Sequence, residues 1–223
     1  KYDPLGRITY MKESTNREYF YEYDLNGNLL KTKDPLGYQV NYTYNKRNEL
    51  TSITDEEGEK TNYNYTDTGS LKEVTDPLGY IKYYEYDNNG NLISEATNNG
   101  DKTTYNYDAL NRMVSITDPL KNITQYSYDK AGNVQKIIDP LGKETKYEYN
   151  GKNLSTKVTD ALNQVISMEY DKNGNITNII YPNGDVIAMS YDNSNRMQSM
   201  EDTASVISTY EYDSMDQIIK EED

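Results

Sequence analysis

The sequence contains no cysteine, no histidine and no tryptophan, and only one phenylalanine. Without cysteine there are no disulfides, thiolate nucleophiles or cysteine metal sites. Without histidine the chain lacks the commonest general base, the usual Ser-His-Asp triad and most zinc sites. No apolar run approaches the ~20 residues that a membrane helix needs, and no secretory signal is visible. Positive charge is scarce as well. Lys and Arg number 23 against 37 Asp and Glu, a net charge of −14 over 223 residues. Such a chain repels phosphate backbones and offers no basic patch to an anionic bilayer, so neither nucleic acid nor membrane insertion is expected.

Aliphatic residues are also sparse. Leu, Ile, Val and Phe make up only about 17% of the chain, which with this charge falls in the compositional range of disorder. Tyrosine is what the chain has instead, 25 of them. A tyrosine ring is apolar while its hydroxyl can stay wet. A shallow core with one solvated side would suit it.

The tyrosines are periodic. Stepping by 21 residues from Tyr2 gives Tyr23, Tyr44, Tyr65, Tyr86, Tyr107, Tyr128, Tyr149, Tyr170, Tyr191 and Tyr212, with no drift. Two residues before the anchor stands another tyrosine, from Tyr21 to Tyr210, replaced by Met168 and Met189 in two repeats. Four residues after the anchor only Gly, Asn or Asp occurs: Gly6, Gly27, Asn48, Gly69, Gly90, Asn111, Gly132, Asn153, Gly174, Asn195 and Asp216. These residue types tolerate positive φ best, so the slot predicts a left-handed turn position. Two residues further an apolar side chain recurs, as in Leu29, Leu50, Leu71 and Ile176. Ser155 is the exception; Leu154 comes one residue early there, which predicts a local slip.

A second punctuation falls between anchors. It reads Asp34-Pro35-Leu36-Gly37, Asp76-Pro77-Leu78-Gly79, Asp118-Pro119-Leu120-Lys121 and Asp139-Pro140-Leu141-Gly142, with variants such as Thr97-Asn98-Asn99-Gly100. The first form is a type I turn signature and Asn-Gly a hairpin signature, exchanged at constant length. Each repeat therefore predicts two turns and two strands. In the first strand Tyr42 and Tyr44 share one face while Thr43 takes the other. In the second, Leu71 and Val74 are three apart, which plain alternation does not accommodate. Gly, Pro, Asn or Asp interrupts about every ten residues, so helix is not expected.

The Y-x-Y-D-x-x-G-N-L frame, the D-P-L-G turn and the 21-residue period together resemble the YD repeats of the Rhs family, over essentially all of residues 1–223. The resemblance implies an all-β meander of antiparallel hairpins that curls into part of a spiral shell. It implies a long exported or surface protein of bacteria, with relatives in animal teneurins. The shells of polymorphic toxins and insecticidal toxin complexes enclose a C-terminal toxic domain. The implied partners are thus the flanking YD repeats of the same chain and an enclosed toxin domain. The first residues already lie in mid-pattern, so residues 1–223 read as one continuous array, a fragment of a longer protein.

Candidate chemistry was weighed against structural explanations. Rhs toxin cores usually end in an aspartyl self-cleavage motif around D-P-x-G. Asp34, Asp76, Asp118 and Asp139 each stand in a D-P-L sequence, but at a repeated turn slot, and read as structural. Asp24-Leu25-Asn26-Gly27-Asn28 and Asp171-Lys172-Asn173-Gly174-Asn175 resemble calcium loops superficially. Their glycine follows the Asp at three rather than five residues, and an Asx turn explains them. No catalytic, cofactor-binding or metal residue is singled out, and no enzyme is expected. The rival class is a surface adhesin whose tyrosine ladder stacks on glycans. The regularity of the ladder favours core: mid-array rings such as Tyr86 and Tyr107 should be covered by neighbouring strands, and Tyr2 and Tyr212 less so.

Overall fold

The computed structural model describes residues 1–203 and 206–222. Among them are 21 β-strands and no helix, and every strand pair is antiparallel. Strands alternate in length as the repeat predicts. A six-residue strand ends on Y-x-Y, as in Lys60–Tyr65, and a five-residue strand follows, as in Leu71–Thr75. By contact the chain divides into two compact units, Lys1–Arg112 with Thr117–Lys121, and Met113–Ile116 with Asn122–Asp223. Within each unit the strands form a meander in which each touches only the strand before and the strand after it.

All eleven residues of the predicted left-handed slot have positive φ, from 59° at Asn111 to 99° at Gly174. The second turn carries the same conformation at its fourth position, from Gly37 to Gly184, and even Lys121 adopts it with φ 69°. The two turns are one structure. Gly27 N–H donates to the Asp24 carbonyl and Asp24 N–H to the Asn28 carbonyl; Gly37 and Asp34 make the same two bonds with Asp34 and Tyr38. The Asn-Gly variant does not form a separate two-residue hairpin. Gly100 donates to Thr97 and Thr97 to Asp101, so Gly100 again fills the fourth position. The constant spacing between strand ends leaves room for only one turn geometry.

A bulge resolves the three-residue spacing in the second strand. Tyr63 faces Val74 and Tyr65 faces Leu71, so one residue is skipped between them. The same register shift occurs beside Tyr23, Tyr44, Tyr86, Tyr128, Tyr149, Tyr170, Tyr191 and Tyr212. An extra residue in one strand restores the apolar pair to the tyrosine face. Ser155 therefore marks no slip. It faces Tyr149 as Leu71 faces Tyr65, and Leu154 takes the turn position that Asn28 holds elsewhere.

The expected core is shallower than full burial. Among the described residues no hydrophobic side chain is fully buried. The Y-x-Y rings from Tyr19 onward are half-buried, because only their own neighbours in the sheet cover them. The most buried side chains are small and polar, Ser52 at 2% exposure and Ser94 at 3%. Both sit mid-strand on the polar face, opposite Thr43 and Glu85.

Candidate functional site

The tyrosine face repeats through both units. Its anchors do more than cover apolar area. The Tyr65 hydroxyl donates to the Leu50 carbonyl at 2.8 Å, fifteen residues earlier. Tyr107, Tyr149, Tyr170, Tyr191 and Tyr212 repeat this bond to Leu92, Val134, Ser155, Ile176 and Met197. The acceptor is always the first residue of the preceding short strand, beside its bulge. Each of these anchors thus ties its repeat to the one before. Burial pushes the hydroxyls of Tyr44, Tyr65, Tyr86, Tyr149 and Tyr191 above the usual tyrosine value.

The ladder has one acidic interruption within the first unit. Glu95 faces Tyr84, where Ile53 faces Tyr42 and Val74 faces Tyr63. The Tyr105 hydroxyl donates to its Oε1 at 3.2 Å. Burial, then the Glu95 charge, raise the Tyr105 pKa.

The opposite face is polar. Residues between the paired tyrosines meet complementary partners across the strands: Glu22 with Lys31, Glu148 with Lys157 at 3.1 Å, Glu211 with Lys220 at 3.4 Å. Where the charges are absent, hydroxyls pair, as Thr43 with Ser52 at 2.6 Å and Ser190 with Ser199 at 2.8 Å. Exposed pairs of this kind contribute little individually.

The turn edge carries a ladder that residue-type preference alone does not announce. Asn28 Nδ2 donates to Asp24 Oδ2 within its own turn and to Asn48 Oδ1 in the next, at 2.7 and 2.8 Å. Asn91 reaches Asn111, Asn133 reaches Asn153 and Asn175 reaches Asn195 in the same way. Arginine substitutes at other steps. Arg47 donates to the carbonyls of Thr66 and Asp67 in the next turn, and the Arg196 guanidinium lies 4.6 Å over the Tyr212 ring. The asparagine in the left-handed slot is therefore also an acceptor. Its signal in the sequence is alternation: a Gly-Asn repeat precedes a repeat with Asn in the slot.

Three of the acids that invited a chemical reading, Asp34, Asp139 and Asp171, cap their own turns. Asp34 Oδ1 accepts the backbone N–H groups of Leu36 and Tyr38, and Asp139 those of Leu141 and Lys143, at 2.8 to 2.9 Å. Asp171 Oδ1 accepts from Asn173, Gly174 and Asn175, and its Oδ2 from the Asn175 amide. With its lone pairs so engaged, the calcium-like loop presents an Asx turn. Among the described residues no group of three or more acidic side chains is placed to hold a metal ion.

Comparison with known proteins gives three results. The family model described as teneurin YD-shell matches residues 1–128 and 79–223, which together span the chain. No curated protein matches. Solved structures share the fold. A TcdB2-TccC3-Cdc42 crystal structure superposes with a TM-score of 0.63 at 14% identity over 99% of this chain. A TcdB2-TccC3 structure gives 0.62 at 15% identity over 99% of this chain, and the Tc holotoxin pore of Photorhabdus luminescens 0.51 at 13% over 92%. This chain spans about 15% of the length of each of those chains.

Proposed function

Since the chain belongs to the teneurin YD-shell family, we propose that it is a non-catalytic stretch of the wall of a larger β-shell. The reading extends to an exported or surface-displayed bacterial protein whose shell encloses a further polypeptide, a toxin domain. The array of residues 1–223 would be one segment of that wall, its natural partners the flanking repeats.

The observation that carries this reading is where the hydrogen bonds go. Tyrosine hydroxyls, turn asparagines and strand ladders all join a repeat to its neighbours in sequence. Among the described residues each strand contacts only its neighbours in the meander, and no hydrophobic side chain is fully buried. A linear array stabilised by nearest neighbours can be lengthened without redesign and serves as wall material.

Limited proteolysis of the full-length protein tests enclosure. A downstream polypeptide that resists protease while the shell is intact, and is digested once urea opens the repeats, supports the proposal. Digestion at the rate of the free polypeptide overturns it. Glycan-array binding that is lost in tyrosine variants of unchanged stability would replace it with the adhesin reading.

A further inference from the structure

Seven methionines are present in the chain, and the register brings three of them to neighbouring positions on the tyrosine face of the second unit. Met189 takes a slot that tyrosine holds in most repeats. It lies directly opposite Met200, between strands Val186–Tyr191 and Met197–Glu201. Met197 lies opposite Tyr191, and the bulge puts it on the same face as Met200 although the two are three residues apart. Directly opposed Cβ atoms in such a pair are ~4.5–5.5 Å apart and diagonal ones ~7–8 Å, within reach of three long flexible side chains. Met168 is set apart. It pairs with Ile179, which in turn pairs with Ile187, so a strand separates it from the cluster.

Methionine in a packed core is ordinarily a gap filler. This face has no interior to fill. Within the unit each strand touches only its neighbours in the meander, and Met189, Met197 and Met200 are half-buried. The Tyr191 hydroxyl, which donates to the Ile176 carbonyl at 3.0 Å, also donates to Met189 Sδ at 3.9 Å, a contact that Tyr170 repeats with Met168 Sδ at 4.0 Å. Thioether sulfur is a soft ligand that selects soft ions such as copper(I) over the hard and borderline cations. The chain has no histidine or cysteine to compete for such an ion.

We propose that Met189, Met197 and Met200 form a three-thioether site for a soft monovalent cation, copper(I) or its analogue silver(I). Each sulfur contributes one lone pair. No proton is released and no electron is transferred, so affinity is independent of pH wherever the fold is intact.

The full chain carrying 13C-methyl methionine, titrated with silver nitrate at pH 5 and pH 7, tests the site. The methyl signals of Met189, Met197 and Met200 should move together and saturate at one equivalent, equally at both pH values. Those of Met11, Met113, Met168 and Met215 should stay in place. Loss of even an outer hydrogen-bonding partner of a metal ligand typically costs ~10-fold in affinity, so Met200→Leu should weaken binding at least about that much. Met168→Leu should leave it unchanged. Leucine is close in volume, and circular dichroism shows whether each variant keeps the fold. Copper(I) held against bicinchoninate should follow the same pattern. Movement of all seven methyls alike, uptake that falls with pH as carboxylates protonate, or undiminished binding in the folded triple leucine variant would each overturn the proposal.

Discussion

The hydroxyl of Tyr107 donates a 2.8 Å hydrogen bond to the carbonyl of Leu92, in the repeat before its own. The bond has a direction. Every anchor that makes it reaches backward, so the two ends of the array are not equivalent. Tyr2 is 69% exposed, whereas Tyr212 is half-buried and bonded to Met197 at 2.9 Å. The expectation that both terminal anchors are poorly covered holds for Tyr2 alone.

Tyr107→Phe should lower stability by about 1 kcal/mol, since the ring stays and the Leu92 carbonyl loses a partner. Tyr107→Ala should cost more, about 2–3 kcal/mol, below the range for a fully buried aromatic. Tyr212→Phe should resemble Tyr107→Phe, and Tyr2→Ala should leave the urea midpoint in place. Equal losses at Tyr2 and Tyr212 would contradict a directional ladder.

Asn48→Gly separates the two duties of the left-handed slot. Glycine relieves the backbone at φ 61° but removes the acceptor of the Asn26 and Asn28 amides. We expect net destabilisation of about 0.5–1 kcal/mol, one hydrogen bond's worth less the backbone relief. A gain in urea midpoint would mean that the cross-turn amide bonds contribute nothing.

Lys121→Gly should go the other way. Lys121 holds φ 69° in a slot that Gly fills at positions 37, 58, 79, 100, 142 and 184. The left-handed region costs a side-chain-bearing residue roughly 1–2 kcal/mol, partly offset by the entropy of an added glycine, so a net stabilisation of about 1 kcal/mol is expected. Thermal melts of the two proteins side by side decide it.

Acid should loosen the array through its turns. Hydrogen bonds from the Asn28, Asn91, Asn133 and Asn175 amides, joined by backbone N–H groups, hold Asp24, Asp87, Asp129 and Asp171 below the ordinary value of 3.8. A folded-state pKa below the unfolded one means that the contribution is present in full above the unfolded pKa. It is lost as pH falls through the lower folded value. The urea midpoint should therefore be level from neutrality to about pH 5 and decline below about pH 4. Asp24→Asn should flatten part of that decline.

Calcium and zinc should be dispensable for folding, because the Asp171 oxygens already accept four hydrogen bonds from their own turn. Melting curves with and without EDTA should coincide. A fall of more than a few degrees in EDTA would contradict this.

The local rules were legible in the sequence. Positive φ is a steric matter of one residue, so Gly, Asn and Asp at a fixed slot reveal it wherever they recur. Strand faces follow from a period of two, which sets Tyr42 and Tyr44 on one side and Thr43 on the other. Two turns and two strands per 21 residues, and a constant register, need nothing more. What the tertiary structure decided depends on residues fifteen or twenty apart. The backward bond from Tyr107 to Leu92 and the reach of Asn28 to Asn48 exist only because a bulge in each short strand fixes how neighbouring repeats align. The bulge is a cooperative result of two strands and leaves only an odd spacing, Leu71 to Val74, as its trace. The degree of burial was hidden for the same reason. Tyrosine at a periodic slot marks an apolar face, but whether another layer covers that face is set by contacts between distant elements. Among the described residues the rings remain half-open and the deepest side chain is Ser52.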